Sequence, residues 1–378
     1  MKILFLDTVD PEETRSPVTP ESVARLVKAG YTVWVHPGLM AKASSNREEF
    51  EKAGAEIVDQ AATRSREADI LVRTQVQDAP SSLHDGVVHL SLFDPFSRPL
   101  LTRRFAESGA TALSPELLPR TTLAQRMDVL SSQASLAGYA AVIWAAQQHP
   151  QGLPMMMTPA GTLKPARVFI IGAGVAGLQA IATAKRNGAR VEAFDTRPVV
   201  AEQVQSLGAK FLQVDLGETG QTKDGYAKAL TEEQLAIQKQ AMAEAVARAD
   251  IVITTAKLFG RPAPQIITKD MLAAMKPGSV VVDLAADSGG NVEGVTAGKA
   301  MPVNGVTLYG PVELARSVPQ HASQMLASNF AALLEHLRDP EGEGLRLDSD
   351  DELIRGSVVT HQRSIVHPLV KEKVEGLS

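Results

Sequence analysis

Cysteine is absent from the 378-residue sequence, so disulfides and thiolate metal sites are excluded and a reducing compartment fits. An excess of positive charge is also missing. Lys and Arg number 38 against 43 Asp and Glu, a formal net charge of -5, whereas nucleic-acid binding needs clustered cations against phosphate. No nucleic-acid partner is expected. Long apolar runs are lacking too: the longest nearly uncharged stretch, Ala137 to Ala146, reads as too short to cross a bilayer. The apolar start Ile3 to Leu6 meets Asp7, Asp10, Glu12 and Glu13 at once, unlike a signal peptide. The histidines show no metal-ligand spacing with neighbouring carboxylates, and no metal is expected. Together these absences predict a soluble intracellular protein without direct membrane insertion.

What is present is an ordinary globular composition, 44% hydrophobic, too apolar for a disordered chain. The length exceeds what one core usually serves, so two domains are predicted. Apolar runs at Lys2–Leu6, Tyr31–Val35, Ile70–Arg73 and Val87–Leu92 alternate with helix-like segments, one opened by Thr19-Pro20-Glu21. A long helix is predicted over Thr122–Gln148, ended by Pro150. A second series follows, with strands at Arg167–Ile171, Arg190–Phe194, Lys210–Gln213, Asp250–Thr254 and Ser279–Leu284, and a weaker sixth at Thr307–Tyr309. The alternation implies an α/β fold of two doubly wound, Rossmann-like parallel-sheet domains joined by long helices. The first would be built from both chain ends, residues 1–137 with 318–378, and the second from 138–317. Met155 to Met157 read as adaptable packing between the two.

The strongest motif is Gly172-Ala-Gly174-Val175-Ala176-Gly177. It follows the apolar strand Val168–Ile171 and opens a helix ended by Gly188; a second strand then finishes at Asp195. This strand–turn–helix–strand–acid order is what a dinucleotide requires. Gly172 permits the tight turn, Gly174 lets backbone approach a pyrophosphate, and Gly177 lets helix press on strand, with the helix N-terminus facing the phosphates. Asp195 can accept both hydroxyls of the adenosine ribose, and its charge would repel a 2′-phosphate, favouring NAD over NADP. Arg197 nearby could instead welcome that phosphate. Farther upstream, polar groups recur at intervals of three, and in a helix Gln125, Asp128 and Ser131 would share a broad face. Spacing alone is equally consistent with a solvated face or local capping.

From about Pro119 onward the sequence resembles the NAD(H)-binding component of proton-translocating NAD(P) transhydrogenase. The residues that carry the likeness are Arg120 with Ala124-Gln125-x-Met127-Asp128-x-Leu130-Ser131-Ser132-Gln133, then Ala137-Gly138-Tyr139, Met155-Met-Met-Thr158 and Ala160-Gly161-Thr162. It continues through Gly174–Arg186, Gly225-Tyr226-Ala-Lys228, Pro262-Ala-Pro264, Lys276-Pro-Gly-Ser279, Asp283-Leu-Ala and Gly289-Gly-Asn291. Alanine dehydrogenases are similar in organisation and match less closely. Near the N-terminus, Leu6-Asp7-Thr8 replaces the family's Pro-Lys-Glu, and Gly38-Leu39-Met40 its glycine-rich turn, while Arg15 and Thr19-Pro20 are retained.

The resemblance implies a reaction in which this chain holds NADH, a separate component presents NADP+, and hydride passes directly between the nicotinamides, coupled to proton movement by a membrane component. It places Arg120, Asp128 and Ser131 on the nicotinamide carboxamide and Gln125 toward the NADP(H) side. The cofactor-binding set becomes Gly172, Gly174, Val175, Ala176, Gly177, Asp195, Thr196, Arg197 and Ala256, with Gly225 and Tyr226 in a mobile loop over the nucleotide. A homodimer on the cytoplasmic face of the inner membrane, docked to membrane-spanning subunits, is also implied. Two alternatives stand beside this reading: an alanine-dehydrogenase-type amino-acid oxidoreductase and a non-catalytic NAD-binding paralogue. Amino-acid oxidation needs acid–base help, and the alanine dehydrogenase lysine and histidine positions correspond here to Gln75 and Ser91. His89 shares the strand face of Ser91, and Arg15 and Asp287 match two further site positions of those enzymes. Asp283 and Asp287 close a predicted strand, where ligands collect in doubly wound sheets.

Overall fold

The computed structural model describes residues 1–8, 10–78, 83–214, 231–258, 260–339, 344–347 and 350–376. The chain forms two compact units, Met1–Gln133 with Arg316–Ser378, and Ala134–Ala315. In the first, an eight-stranded sheet runs in the order Ser364–Ile365, Val358–His361, Thr111–Leu113, Val88–Leu92, Ile70–Gln75, Lys2–Phe5, Thr32–Val35, Ala55–Ile57. The six N-terminal strands are parallel, and Val358–His361 joins antiparallel to Thr111–Leu113. Helices cover both faces, as parallel strands require. Leu26 of the helix Pro20–Lys28 and Phe330 and Leu333 of Pro319–Leu337 fill one core, while Phe105 of Pro99–Ser108 and Val370 of Pro368–Glu375 fill the other. The Thr19-Pro20 pair starts its helix as expected: the Thr19 side chain accepts from the Ser22 backbone and Pro20 occupies the first turn.

The second unit is built on a seven-stranded sheet ordered Lys210–Phe211, Arg190–Phe194, Arg167–Ile171, Ile251–Thr254, Val280–Asp283, Val306–Tyr309, Ala300–Val303, the last strand alone antiparallel. The central strand reads Val-Phe-Ile-Ile because both faces are buried: Val168 and Ile170 pack into one core, Phe169 and Ile171 into the other. After Arg190–Phe194 and Lys210–Phe211 are laid on one side of it, the chain returns to place Ile251–Thr254 on the other. Such a reversal opens a crevice beyond the carboxyl ends of the strands.

Three local expectations are corrected. The predicted Thr122–Gln148 helix begins at Val129, and Leu123–Arg126 forms a separate 3-10 turn. The helix Val129–Gln148 has 20 residues and is by length and composition long enough to cross a membrane, which the shorter Ala137–Ala146 stretch concealed. It is a core helix in part, since Val129 packs into a core of the first unit and Ala141, Val142 and Ala145 into one of the second. Met155 to Met157, expected as packing residues, are each exposed. They lead into the hairpin Met156–Thr158 and Gly161–Leu163, which joins neither large sheet, and stand 59%, 41% and 77% exposed.

Candidate functional site

In the second unit the glycine turn links Arg167–Ile171 to the helix Val175–Arg186. Gly172 sits at φ +95°, a region side chains rarely adopt, and a Cβ there would also meet Thr255 Oγ1 at 2.5 Å. At Gly177 a Cβ would lie 1.8 Å from the Gly172 carbonyl oxygen, so helix and turn touch backbone to backbone. Gly174 is different: nothing lies within 4 Å of its Cβ position. It is the N-cap of the helix and makes no side-chain cap, and the N–H groups of a helix N-terminus with open space in front of them suit a pyrophosphate. Val175, the first helical residue, is 45% exposed, while Ala176 receives the close approach of the helix Val129–Gln148, where a Cβ on Gly138 would sit 2.1 Å from the Ala176 carbonyl oxygen.

Asp195 follows the strand Arg190–Phe194 directly. One carboxylate oxygen accepts the Ala173 N–H at 2.8 Å, tying the acid to the glycine turn. Arg197 donates to the same carboxylate through its backbone N–H, Nε and Nη2, each at 2.9 Å. The guanidinium that could have received a 2′-phosphate is thus committed to Asp195, and hydrogen bonding to that carboxylate raises the Arg197 pKa further. Thr196 lies half-buried between the two. Gly225 and Tyr226 fall outside the described residues.

Across the crevice, Thr255 Oγ1 donates to the Gly172 carbonyl at 3.1 Å. Ala256 is held by Asn291, whose Oδ1 accepts the Ala256 N–H at 3.0 Å and whose Nδ2 donates to the Ala256 and Pro264 carbonyls at 2.8 Å. Both backbone polar groups of Ala256 are therefore engaged within the protein. Asp283, fully buried, accepts from Thr254 Oγ1 and from the backbone of Ala285, Asn291 and Val292 at 2.7–3.0 Å. Burial pushes its pKa up against those four donors. Its work is to hold the turn after Val280–Asp283 rather than to meet a ligand. Asp287 instead reaches the surface and pairs with Lys257 at 2.7 Å. Thr255 and the Asn291 clamp were not singled out in the sequence; only the Gly289-Gly-Asn291 run pointed to the latter.

In the first unit, Gln125, Asp128 and Ser131 do not share a helical face, because the chain breaks between the 3-10 turn and Val129–Gln148. Asp128 lies at that break. Its carboxylate accepts the Ser131 N–H at 2.9 Å and the Ser131 hydroxyl at 2.5 Å, the pattern of a helix cap. Arg120 and Gln125 are exposed. Arg15, by contrast, is fully buried, with Nε and Nη2 each 2.8 Å from the Glu13 carboxylate and Nη1 donating to Gln133 Oε1 at 3.1 Å. Arg316 reaches both Glu13 and Asp10 at 3.2 Å, and Gln75 donates to Asp10 at 2.7 Å. Ser91 and His89 are buried, and among the described residues neither the Ser91 hydroxyl nor either His89 ring nitrogen has a hydrogen-bond partner. Burial, helped by Arg73, pushes the His89 pKa down to about 3, so the ring is neutral and packs edge-on against Phe105.

Comparison with known proteins bears on both units. Residues 7–137 match the family model "Alanine dehydrogenase/PNT, N-terminal domain" and residues 141–368 the model "Alanine dehydrogenase/PNT, C-terminal domain". The polypeptide that forms the first part of NAD(P) transhydrogenase subunit alpha in Rhodospirillum rubrum is 40% identical, over 97% of this chain and 98% of that protein. A crystal structure of transhydrogenase from Sinorhizobium meliloti, also 40% identical, superposes with a TM-score of 0.84 over 97% of this chain and 99% of that one. The alanine dehydrogenase of Halomonas elongata is more distant, 27% identical over 98% of this chain and 96% of that protein.

Proposed function

Since the chain belongs to the alanine dehydrogenase/PNT family, and within it to the NAD(P) transhydrogenase alpha subunits, we propose that it is the NAD(H)-binding subunit of a proton-translocating NAD(P) transhydrogenase. The observation that carries this choice over amino-acid oxidation is the saturation of Arg15 by Glu13 and Gln133 in a fully buried site. A substrate carboxylate would have to displace an internal one. Around it, Gln75 cannot exchange a proton near neutral pH, and His89 is held neutral by burial. Bound NADH supplies a hydride, and direct exchange between two nicotinamides frees no proton at the reacting carbon, so alignment rather than a general base is needed.

The second unit's residues fit such a nucleotide. Gly174 leaves room for the pyrophosphate before the helix N-terminus, Gly172, Val175, Ala176 and Gly177 shape that turn, and the Thr255–Ala256 strand end faces it across the crevice. Asp195, with Arg197 already neutralised beside it, favours a ribose bearing free hydroxyls and disfavours a 2′-phosphate. Arg120, Asp128 and Ser131 are assigned to the nicotinamide carboxamide and Gln125 to the side from which NADP(H) arrives, with NADP(H) bound by the partner and not by this chain. Gly225 and Tyr226, outside the described residues, are assigned to nucleotide binding by the resemblance. The partners are a membrane-spanning subunit and an NADP(H)-binding domain, met at the cytoplasmic face of the inner membrane, and a second copy of this chain, for which the exposed Met155–Leu163 hairpin is a candidate contact.

The test uses the isolated chain. It should bind NADH, oxidise no amino acid, and transfer hydride only when an NADP(H)-binding component is added. Alanine-dependent NADH formation by the chain alone would contradict the assignment. Substitution Gln125→Ala should abolish transfer with NADH affinity largely kept.

A further inference from the structure

We infer that the cationic pocket beside the Leu123–Arg126 turn is the docking point for an acidic surface of the NADP(H)-binding partner. The inference rests on the proposed function and adds to it the place and charge of the contact. A pocket of about 560 Å3 in the first unit is lined by Arg25, Lys28, Arg126, Ser328 and Glu335. Arg25 and Lys28 come from the helix Pro20–Lys28, Ser328 and Glu335 from Pro319–Leu337, and Arg126 from the 3-10 turn. Arg25 grips the Glu335 carboxylate through Nε at 3.1 Å and Nη2 at 2.8 Å, and donates through Nη1 to Ser328 Oγ at 3.1 Å. Arg126 reaches the same Glu335 Oε2 at only 3.4 Å.

Three cations therefore surround one carboxylate, and Glu335 is the single acid in the described lining. The surplus is positive on a chain whose net charge is negative. Lys28 is exposed and the Arg126 side chain 68% exposed, so their charge acts in solvent, where it steers encounter and fixes register more than it adds affinity. The lining mixes cations with one carboxylate, which suits the patterned charge of a protein surface; an anionic membrane is better met by an unbroken row of cations. Arg126 directly follows Gln125, on a turn whose Leu123 is 57% exposed. A partner seated over Gln125 would thus find an apolar contact and an ionic one within the same four residues.

The test is the double charge reversal Lys28→Glu with Arg126→Glu, beside Lys28→Glu alone, titrated with the purified NADP(H)-binding component of the cognate transhydrogenase. Association with that component should slow on the order of tenfold, with affinity falling in step, its salt dependence should flatten, and the transfer rate should recover at saturating partner. NADH affinity and melting temperature should be unchanged, which separates docking from folding and chemistry. Unaltered partner affinity and salt dependence in folded variants would overturn the inference. So would variants that keep partner affinity yet lose binding to vesicles containing phosphatidylglycerol, since the pocket would then serve a lipid surface. If wild-type protein neither binds the partner nor transfers hydride, the proposed function falls with it; if wild type transfers and the variants match it, the docking assignment alone falls.

Discussion

At Gly172, Gly174 and Gly177 the same residue type is needed for three different reasons, and substitution can separate them. Gly177→Ala would force a Cβ to within 1.8 Å of a backbone oxygen, so a loss of folded protein is predicted along with NADH binding. Gly174→Ala meets nothing within 4 Å and should leave the melting temperature nearly unchanged while weakening NADH by on the order of tenfold, because the methyl occupies the space through which a pyrophosphate approaches the backbone. Isothermal titration with thermal melts distinguishes the two outcomes. The acid at the end of the second strand makes a further prediction. Asp195→Ala releases Arg197 from its three contacts, and the Kd ratio of NADPH to NADH should fall as the freed guanidinium becomes available to a 2′-phosphate. An unchanged ratio would remove Asp195 from the selectivity argument. The geometry at these residues was legible from sequence because it is local, set by a strand, a turn and a helix in succession. The Asn291 clamp on Ala256 was not, since it joins residues 35 positions apart and only the folded sheet brings them together.

Among the elements, the break before Val129–Gln148 shows where periodicity misleads. A spacing of three reads as a helical face, yet Asp128 and Ser131 have it because one caps the helix and the other is the third residue inside. The sequence permits both readings, and the hydrogen bonds select capping. A prediction follows for how stability and activity divide. Asp128→Asn keeps an acceptor for the Ser131 N–H and should preserve the helix, whereas Asp128→Ala should cost about 1 kcal/mol in urea unfolding. If Asp128 also serves the nicotinamide, both variants lose transfer although only one loses stability. Equal activity of Asp128→Asn and wild type would reduce the residue to a cap. The short strands Ala55–Ile57 and Thr111–Leu113 escaped notice for another reason: three residues carry too little pattern to be told from a loop until a neighbouring strand pairs with them.

Over the whole molecule, the doubly wound architecture was the most legible feature, because alternating apolar strands and helices can bury themselves in few ways. What composition hid was the polar cluster of the first unit, where Glu13, Arg15, Arg316, Asp10 and Gln75 pair with one another. Buried His89 gives that unit a pH signature. Its folded pKa of about 3 lies below the ordinary 6.5, so between those values the unfolded chain binds more protons and stability falls as the solution is acidified. The contribution is fully present above pH 6.5 and is lost downward by at most about 1.4 kcal/mol per pH unit. Replacing His89 with Leu should flatten the dependence of the urea midpoint on pH across that window; an unchanged slope would place the titration elsewhere. The path of the hydride can be followed with NADH deuterated at the transferable position of the nicotinamide, mixed with this chain, its NADP(H)-binding partner and NADP+. The label should appear on NADPH without loss to solvent and only when both proteins are present. Deuterium lost to water, or appearing on an amino acid made from its oxo acid by this chain alone, would rule out direct transfer between the nicotinamides.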